Sequence, residues 1–150
     1  MTKKKMESTG IVHEELTLLN RNHTEYPDSP DKAKIETFQN ANAHRNYLIE
    51  FDCPEFTSLC PVTGQPDFGH IRVRYVADQR CIESKALKLY LFSYRNFNTF
   101  HEAAVNRILT DLAKACSPRW MEVRGDFMPR GGISIHVRAE EGDPALRPAD

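Results

Sequence analysis

The most reactive pairing in this chain is a thiol and a carboxyl set close together in a stretch dense in turn formers. Cys60 and Asp67 lie in Phe56-Thr57-Ser58-Leu59-Cys60-Pro61-Val62-Thr63-Gly64-Gln65-Pro66-Asp67-Phe68, where Pro61, Gly64 and Pro66 restrict the backbone. A thiol and a carboxyl held in a fixed relation suit attack on an electrophilic carbon, with a proton supplied to the atom that gains charge. The same two residues also read as a hydrophobe-like buried cysteine and a turn-forming aspartate, and their spacing does not separate the readings. Thr99-Phe100-His101-Glu102 carries a second set. Glu102 can accept paired N–H donors of the kind a guanine-like ring presents, and His101 can bond a ring oxygen or help move a proton. Thr99 with Glu102 three positions later is equally a helix capping box, and both readings stay open.

Two further groups suit anions. In Glu83-Ser84-Lys85-Ala86-Leu87-Lys88-Leu89-Tyr90, backbone N–H groups at a helix start, with Ser84 and Lys85, could bind a phosphate, or the lysines could be a solvated face. Arg130-Gly131-Gly132 offers a guanidinium and exposed amides, though a plain hairpin turn explains it as well. There is no G-x-G-x-x-G and no Walker motif, so a nucleotide would not bind in the Rossmann manner.

Periodicity supplies the elements that must hold these groups. Tyr47, Ile49 and Phe51 alternate with Leu48, Glu50 and Asp52 as an imperfect half-buried strand, and Ile71, Val73 and Tyr75 alternate with Arg72 and Arg74 as a cleaner one. The stretch from Phe56 to Phe68 between them is long for a hairpin. Residues 84–95 turn helical, with Leu87, Leu91 and Tyr94 on one face. A second helix spans about residues 100–115 on Ala104, Val105, Ile108, Leu109 and Leu112, and Pro118 cannot continue it. Met121 and Val123 suggest a strand; Ile133, Ile135 and Val137 suggest another, with Gly131 and Gly132 as the turn between them. The order predicts an α+β domain: a four-stranded antiparallel sheet with two helices on one face. The uncovered face and both sheet edges then need cover, which predicts a homo-oligomer or a closed barrel.

Residues 1–42 are polar and read as a partly ordered tail with a short docking segment at Leu16, Leu18 and Leu19; residues 43–139 form the domain, and residues 140–150 read as a loose end. A formal net charge of -1 argues against a bulk electrostatic partner such as nucleic acid, so an anionic ligand must meet a local basic cluster. No apolar run is long enough for a membrane, and no h-region follows Lys3-Lys4-Lys5, which places the chain in the cytoplasm with reduced thiols at Cys53, Cys60, Cys81 and Cys116. Their spacings do not fit a zinc ribbon or finger.

Taken together the blocks resemble one family. Glu55 to Pro61 followed by Thr63 to Phe68 is similar to the catalytic loop of the single-module, NADPH-dependent 7-cyano-7-deazaguanine reductases. Glu83 to Tyr90, Phe100-His101-Glu102 and Pro129 to Ser134 resemble that family's remaining blocks, in the same order. The resemblance implies the tunnelling fold, whose subunits join through their sheets into a barrel with sites at subunit interfaces. It implies Cys60 as nucleophile and Asp67 as proton donor. Ile82, Glu83, Ser84, His101 and Glu102 are then substrate contacts, and Ser84, Lys85, Arg130 and Gly131 contacts to NADPH. The implied reaction reduces the nitrile of 7-cyano-7-deazaguanine to an aminomethyl group through a cysteine thioimidate. It uses two NADPH and no metal, on the route to queuosine in tRNA, without binding tRNA itself. The fold-level competitor is a zinc-dependent GTP cyclohydrolase-like enzyme with Cys60, His70 or His101 as ligands.

Overall fold

The computed structural model describes residues 16–18 and 24–150. In chain order these form β1 (Thr37–Gln39), β2 (Leu48–Leu59), β3 (Pro66–Val76), β4 (Arg80–Ile82), α1 (Ser84–Phe92), α2 (His101–Cys116), β5 (Trp120–Arg130), β6 (Ile133–Gly142) and a 3-10 turn (Pro144–Leu146). Four strands make one antiparallel sheet in the order β2-β3-β5-β6, and β1 pairs with β4 apart from it. The two helices occupy the middle of the chain, as the periodicity requires, and cover one face of the sheet.

The alternation along β3 sets that face. Val73 opposes Val123 and Tyr75 opposes Met121 in the β3–β5 register, and all four are fully buried with Ile71. The apolar stripe of α2 (Ala104, Val105, Ile108, Leu109, Leu112) packs there, and α1 adds Leu87, Tyr90 and Leu91. α2 ends where Ser117 turns left-handed at φ 46°, with its N–H on the Ala113 carbonyl, directly before Pro118. Tyr90 joins the two helices: its hydroxyl donates to Asp111 Oδ2 at 2.6 Å and lies 2.8 Å from that of Tyr94. A phenol buried among side chains needs such partners.

The opposite face is charged and internally paired. Glu122, almost fully buried, accepts from Arg74 on β3 at 2.9 Å and from Arg138 on β6. On the same face Asp126 meets Arg124 at 3.1 Å and His136 at 2.6 Å, while His70 bonds Asp52.

Four boundaries differ from expectation. β2 runs on to Leu59 and β3 starts at Pro66, so the connection is only the six residues 60–65. A bulge between Cys53 and Phe56 shifts the register around Pro54 and resets the alternation, which hides the second half of β2 from a period-two reading. β1 falls inside the expected tail, because Thr37–Gln39 pairs with Arg80–Ile82 and Asn40 anchors the turn at Asp78. Leu16 is buried, and the Thr17 and Leu18 amides donate to the buried Glu36; Leu19 lies outside the described residues. At the other end β6 continues to Gly142, paired with Trp120, and Asp150 reaches Arg138 at 3.1 Å, where a loose end was expected. The first helix stops at Phe92 rather than near Arg95, although Tyr94 is still buried.

Candidate active site

The Cys60 loop is held from three directions. Its own backbone closes it: the Cys60 N–H donates to the Gln65 carbonyl and the Gly64 N–H to the Cys60 carbonyl, both at 2.9 Å, with Gly64 at φ 69°. A residue with a Cβ pays a steric penalty at that φ, which accounts for glycine there. The segment before α2 is strapped alongside. Leu59 N–H donates to the Phe97 carbonyl and Thr99 N–H to the Leu59 carbonyl, each at 3.0 Å, as a parallel bridge between Leu59 and Asn98. This bridge brings the first turn of α2, with His101 and Glu102, beside Cys60.

The third hold is Arg130, at the end of β5. Its Nη1 donates to Asp67 Oδ1, and its Nη2 donates to Gln65 Oε1 and, at 3.4 Å, to Thr63 Oγ1. The Thr63 hydroxyl and the Thr63 and Val62 amides surround the Cys60 sulfur, and with a contribution from Arg130 they bring its thiol down to about 7. Hydrogen bonds of this kind favour the charged form, so a large share of Cys60 is nucleophilic thiolate near neutrality. The contrast with other cysteines is physical: burial and the charge of Asp52 push Cys53 up to about 11, and burial pushes Cys116 up to about 12.

Asp67 is buried and faces two groups capable of positive charge, Arg130 and His101, whose Nε2 lies 3.3 Å from Asp67 Oδ2. The His101 ring stacks flat on Phe127, with centroids 3.9 Å apart and planes 3° from parallel. That stacking needs space on the sheet. A Cβ on Gly69 would lie 2.7 Å from Phe127 Cδ1, and one on Gly125 would meet both Val105 and Phe127. His101 Nε2 and the Ser58 hydroxyl are buried without a hydrogen-bond partner, and Ser58 stands opposite Asp67 in the β2–β3 register. Cys60, Asp67, His101, Glu102 and Arg130 line one cavity of about 310 Å³, with Phe100, Met128, Ile133 and Ile135 as its apolar walls.

A thiol of lowered pKa, a buried carboxyl, a half-buried imidazole and an exposed carboxylate therefore line one small cavity. Comparison with known proteins fits this arrangement. A family model described as QueF-like protein matches residues 66–145. A protein of Streptococcus thermophilus named NADPH-dependent 7-cyano-7-deazaguanine reductase is 52% identical over 132 residues, covering 88% of this chain and 81% of that one. Proteins of the same name from Bacteroides thetaiotaomicron (50% identical; 91% of this chain, 89% of that one) and Bacillus cereus (48%; 93% and 86%) are also similar. The chain belongs to the 7-cyano-7-deazaguanine reductase family. A crystal structure of the archaeosine synthase QueF-Like in the apo form shares the fold, with a TM-score of 0.58 at 21% identity over 65% of this chain and 94% of that one.

Within this reductase-family chain the expected site residues fall into two places. Cys60, Asp67, His101, Glu102 and Arg130 share the cavity, and Gly131 lies beside it in the turn at φ 57°. The capping box is not formed: Phe100 is the N-cap of α2 without a side-chain bond, and the Thr99 hydroxyl donates to the Phe100 carbonyl. This leaves the Glu102 carboxylate exposed at the cavity. Ile82, Glu83, Ser84 and Lys85 are elsewhere in the subunit. Ile82 is buried, and its N–H donates to the Tyr75 hydroxyl at 3.0 Å. Glu83 is buried as the N-cap of α1, its carboxylate accepting from the Lys85 and Ala86 amides at 2.8 Å each. The amides expected to receive a phosphate are thus already taken. The Lys85 ammonium donates to the Leu18 carbonyl at 2.8 Å. Ser84 is exposed and lines a second cavity, of about 560 Å³, with Lys88 and Arg95.

Sequence reasoning missed Thr63, Gln65, Ser58 and Phe127. Thr63 and Gln65 were within the loop already singled out. Phe127 carried only one signal, two strand glycines with no turn to make. The zinc reading finds no support in the geometry: Cys60 and His101 share the cavity, but His70 points to the other face and bonds Asp52, and no cluster of three metal-ligating side chains occurs among the described residues.

Proposed function

We propose that this chain reduces the nitrile of 7-cyano-7-deazaguanine to the aminomethyl group with NADPH, through a covalent thioimidate on Cys60. The observation that carries the reading is the Cys60 thiol, lowered to about 7 in a cavity that also holds Asp67, His101 and Glu102. A nitrile carbon is a poor hydride acceptor. Thiolate addition to it, with a proton delivered to nitrogen, turns one hard step into easier ones. Asp67 takes up the proton that the Cys60 thiol gives up and hands it to the nitrile nitrogen, with the His101 ring 3.3 Å behind its other oxygen. Glu102, free of the helix cap, accepts the paired N–H donors of the deazaguanine ring.

Bound NADPH supplies hydride, twice for each nitrile. Ser84 lies in the larger cavity, where Lys88 and Arg95 could meet a dinucleotide phosphate although Asp52 and Glu55 balance their charge in the same lining. The resemblance adds Arg130, which lines the Cys60 cavity, and Gly131 in the adjoining turn as further contacts to the cofactor. The reading also takes the working site to be shared between copies of the chain. Val62, Phe68, Phe100, Met128 and Ile133 are all exposed around the catalytic loop, an apolar rim that another surface would cover. From a second copy the exposed Ser84 would then reach the substrate directly, and Ile82 and Glu83 would follow once Glu83 gives up its bonds to the Lys85 and Ala86 amides. Among the described residues no helix is long and apolar enough to cross a membrane.

The deciding experiment follows NADPH oxidation with the purified nitrile and weighs the protein in its absence. One substrate mass per chain on Cys60, absent in Cys60→Ala, is the expected result. An adduct that persists in Cys60→Ala, or no NADPH oxidation by the parent, refutes the reading.

A further inference from the structure

The resemblance assigns Arg130 to the dinucleotide, but its bonds in the structure go to the catalytic loop. We propose that Arg130 is a positioning residue that clamps the nucleophile loop, joining Thr63, Gln65 and Asp67 through one guanidinium so that Cys60 and Asp67 keep their relation. The three acceptors span the whole connection from β2 to β3. Nη1 takes Asp67 on β3, while Nη2 takes Gln65 and Thr63 in the loop, the latter at 3.4 Å. Only a planar fork reaches all three; an ammonium is a point charge on a flexible stem. The backbone bonds between Cys60, Gly64 and Gln65 close the turn, but they do not tie it to Asp67. Arg130 makes that tie.

The clamp also acts on the sulfur. Thr63 is the chief support of the thiolate, through its hydroxyl and its amide, and Arg130 both bonds that hydroxyl and contributes to the thiolate directly. Conversely, Cys60 is the largest influence holding Arg130 in its charged form, ahead of Asp67. The charged and titratable groups around Cys60 are Arg130 from β5, Asp67 from β3, and His101 and Glu102 from α2. Of these, Arg130 is the only one that bonds the loop itself.

This inference concerns the resting protein and stands apart from the identity of the substrate, so the test omits both nitrile and NADPH. Alkylation of Cys60 by iodoacetamide, a neutral reagent, is followed against pH by mass mapping of the Cys60 peptide in the full chain. The parent should show a midpoint near 7. In Arg130→Met the midpoint should rise toward the ~8.5 of a free thiol, cutting alkylation at neutral pH by roughly 5–15-fold. Arg130→Lys should restore little of this, because it keeps the charge and loses the fork. An unchanged midpoint in folded Arg130→Met, with only the Michaelis constant for NADPH raised, overturns the clamp and leaves Arg130 to the cofactor. A normal midpoint in Arg130→Lys overturns it too, since charge alone would then suffice. Should Arg130→Met not fold, Gln65→Ala reads the same clamp from its other end, at an exposed side chain that bonds Arg130 and not the sulfur, and an unchanged midpoint there is equally fatal. Failure of the parent to reduce the nitrile would sink the reductase reading without moving any of these midpoints.

Discussion

Gly69→Ala tests whether the sheet builds the site. The added Cβ would stand 2.7 Å from Phe127 Cδ1 and 2.9 Å from Cε1, roughly 0.7 Å inside the 3.4 Å at which ordinary contact begins. Phe127 is buried against Phe56 and cannot rotate freely, so its ring must slide by that order of distance. Overpacking of this kind costs about 1–3 kcal/mol, which for a domain of this size lowers the melting temperature by about 2–12 °C. The functional loss should exceed what stability explains, because His101 lies flat on the displaced ring at 3.9 Å and faces Asp67 at 3.3 Å. A shift of half an ångström or more in His101 disturbs the surroundings of the carboxyl beside it, and misplacement of about 1 Å near reacting groups costs on the order of 10²-fold. The assay pairs thermal melting with the rate of Cys60 adduct formation, measured well below the melting transition. Iodoacetamide reactivity of Cys60 should stay normal, since the loop around the sulfur is untouched. A variant with lowered melting temperature but parental adduct rate would show that Phe127 is core packing and no support for His101.

Asp67→Asn should slow thioimidate formation by about 10²–10⁴-fold, read by mass at fixed times, and normal turnover would reduce Asp67 to a partner of Arg130. Glu102→Gln should keep the parental melting temperature, because no cap bond is lost, while nitrile affinity in a Cys60→Ala background weakens by roughly 2–4 kcal/mol; unchanged affinity by calorimetry removes Glu102 from recognition. Glu122→Gln takes the shared anion from Arg74 and Arg138 and should cost about 2–4 kcal/mol, less than a fully buried pair because Arg138 is partly exposed; a melting temperature within a degree of the parent's refutes it.

The elements with a single uninterrupted period were legible. Ile71, Val73 and Tyr75 gave β3, the five-residue stripe gave α2, and the paired glycines gave the β5–β6 turn, where both adopt positive φ. Reading failed where local chemistry broke a period. Pro54 and the bulge disguised the outer half of β2, and a three-residue strand such as β1 has too few positions to show alternation at all. In the site, residue type singled out Cys60, Asp67, His101 and Glu102 as candidates, because thiol, carboxyl and imidazole are chemically conspicuous, and the family resemblance chose between their open readings. Their geometry was not legible, since the parallel bridge from Leu59 to Asn98 is a backbone contact between distant segments. Glu83 shows a role the resemblance did not carry: the carboxylate it implies as a substrate contact caps α1 within the subunit.

The hydroxyl pair between the helices gives the protein an optical reporter of its own integrity. Burial holds the Tyr75 and Tyr90 phenols far above the ordinary range, brings Tyr94 up to about 12, and raises Tyr47 as well. An unfolded phenol releases its proton near ~10, so above that pH the unfolded chain binds fewer protons than the folded one and stability falls as pH rises. Tyr75, Tyr90 and Tyr94 therefore stay silent in the ultraviolet at the pH where a free phenol ionises, while the helix layer is closed. Their phenolate absorbance should emerge in a single cooperative step when it opens, so that alkaline titration of this protein records unfolding rather than the acidity of its phenols.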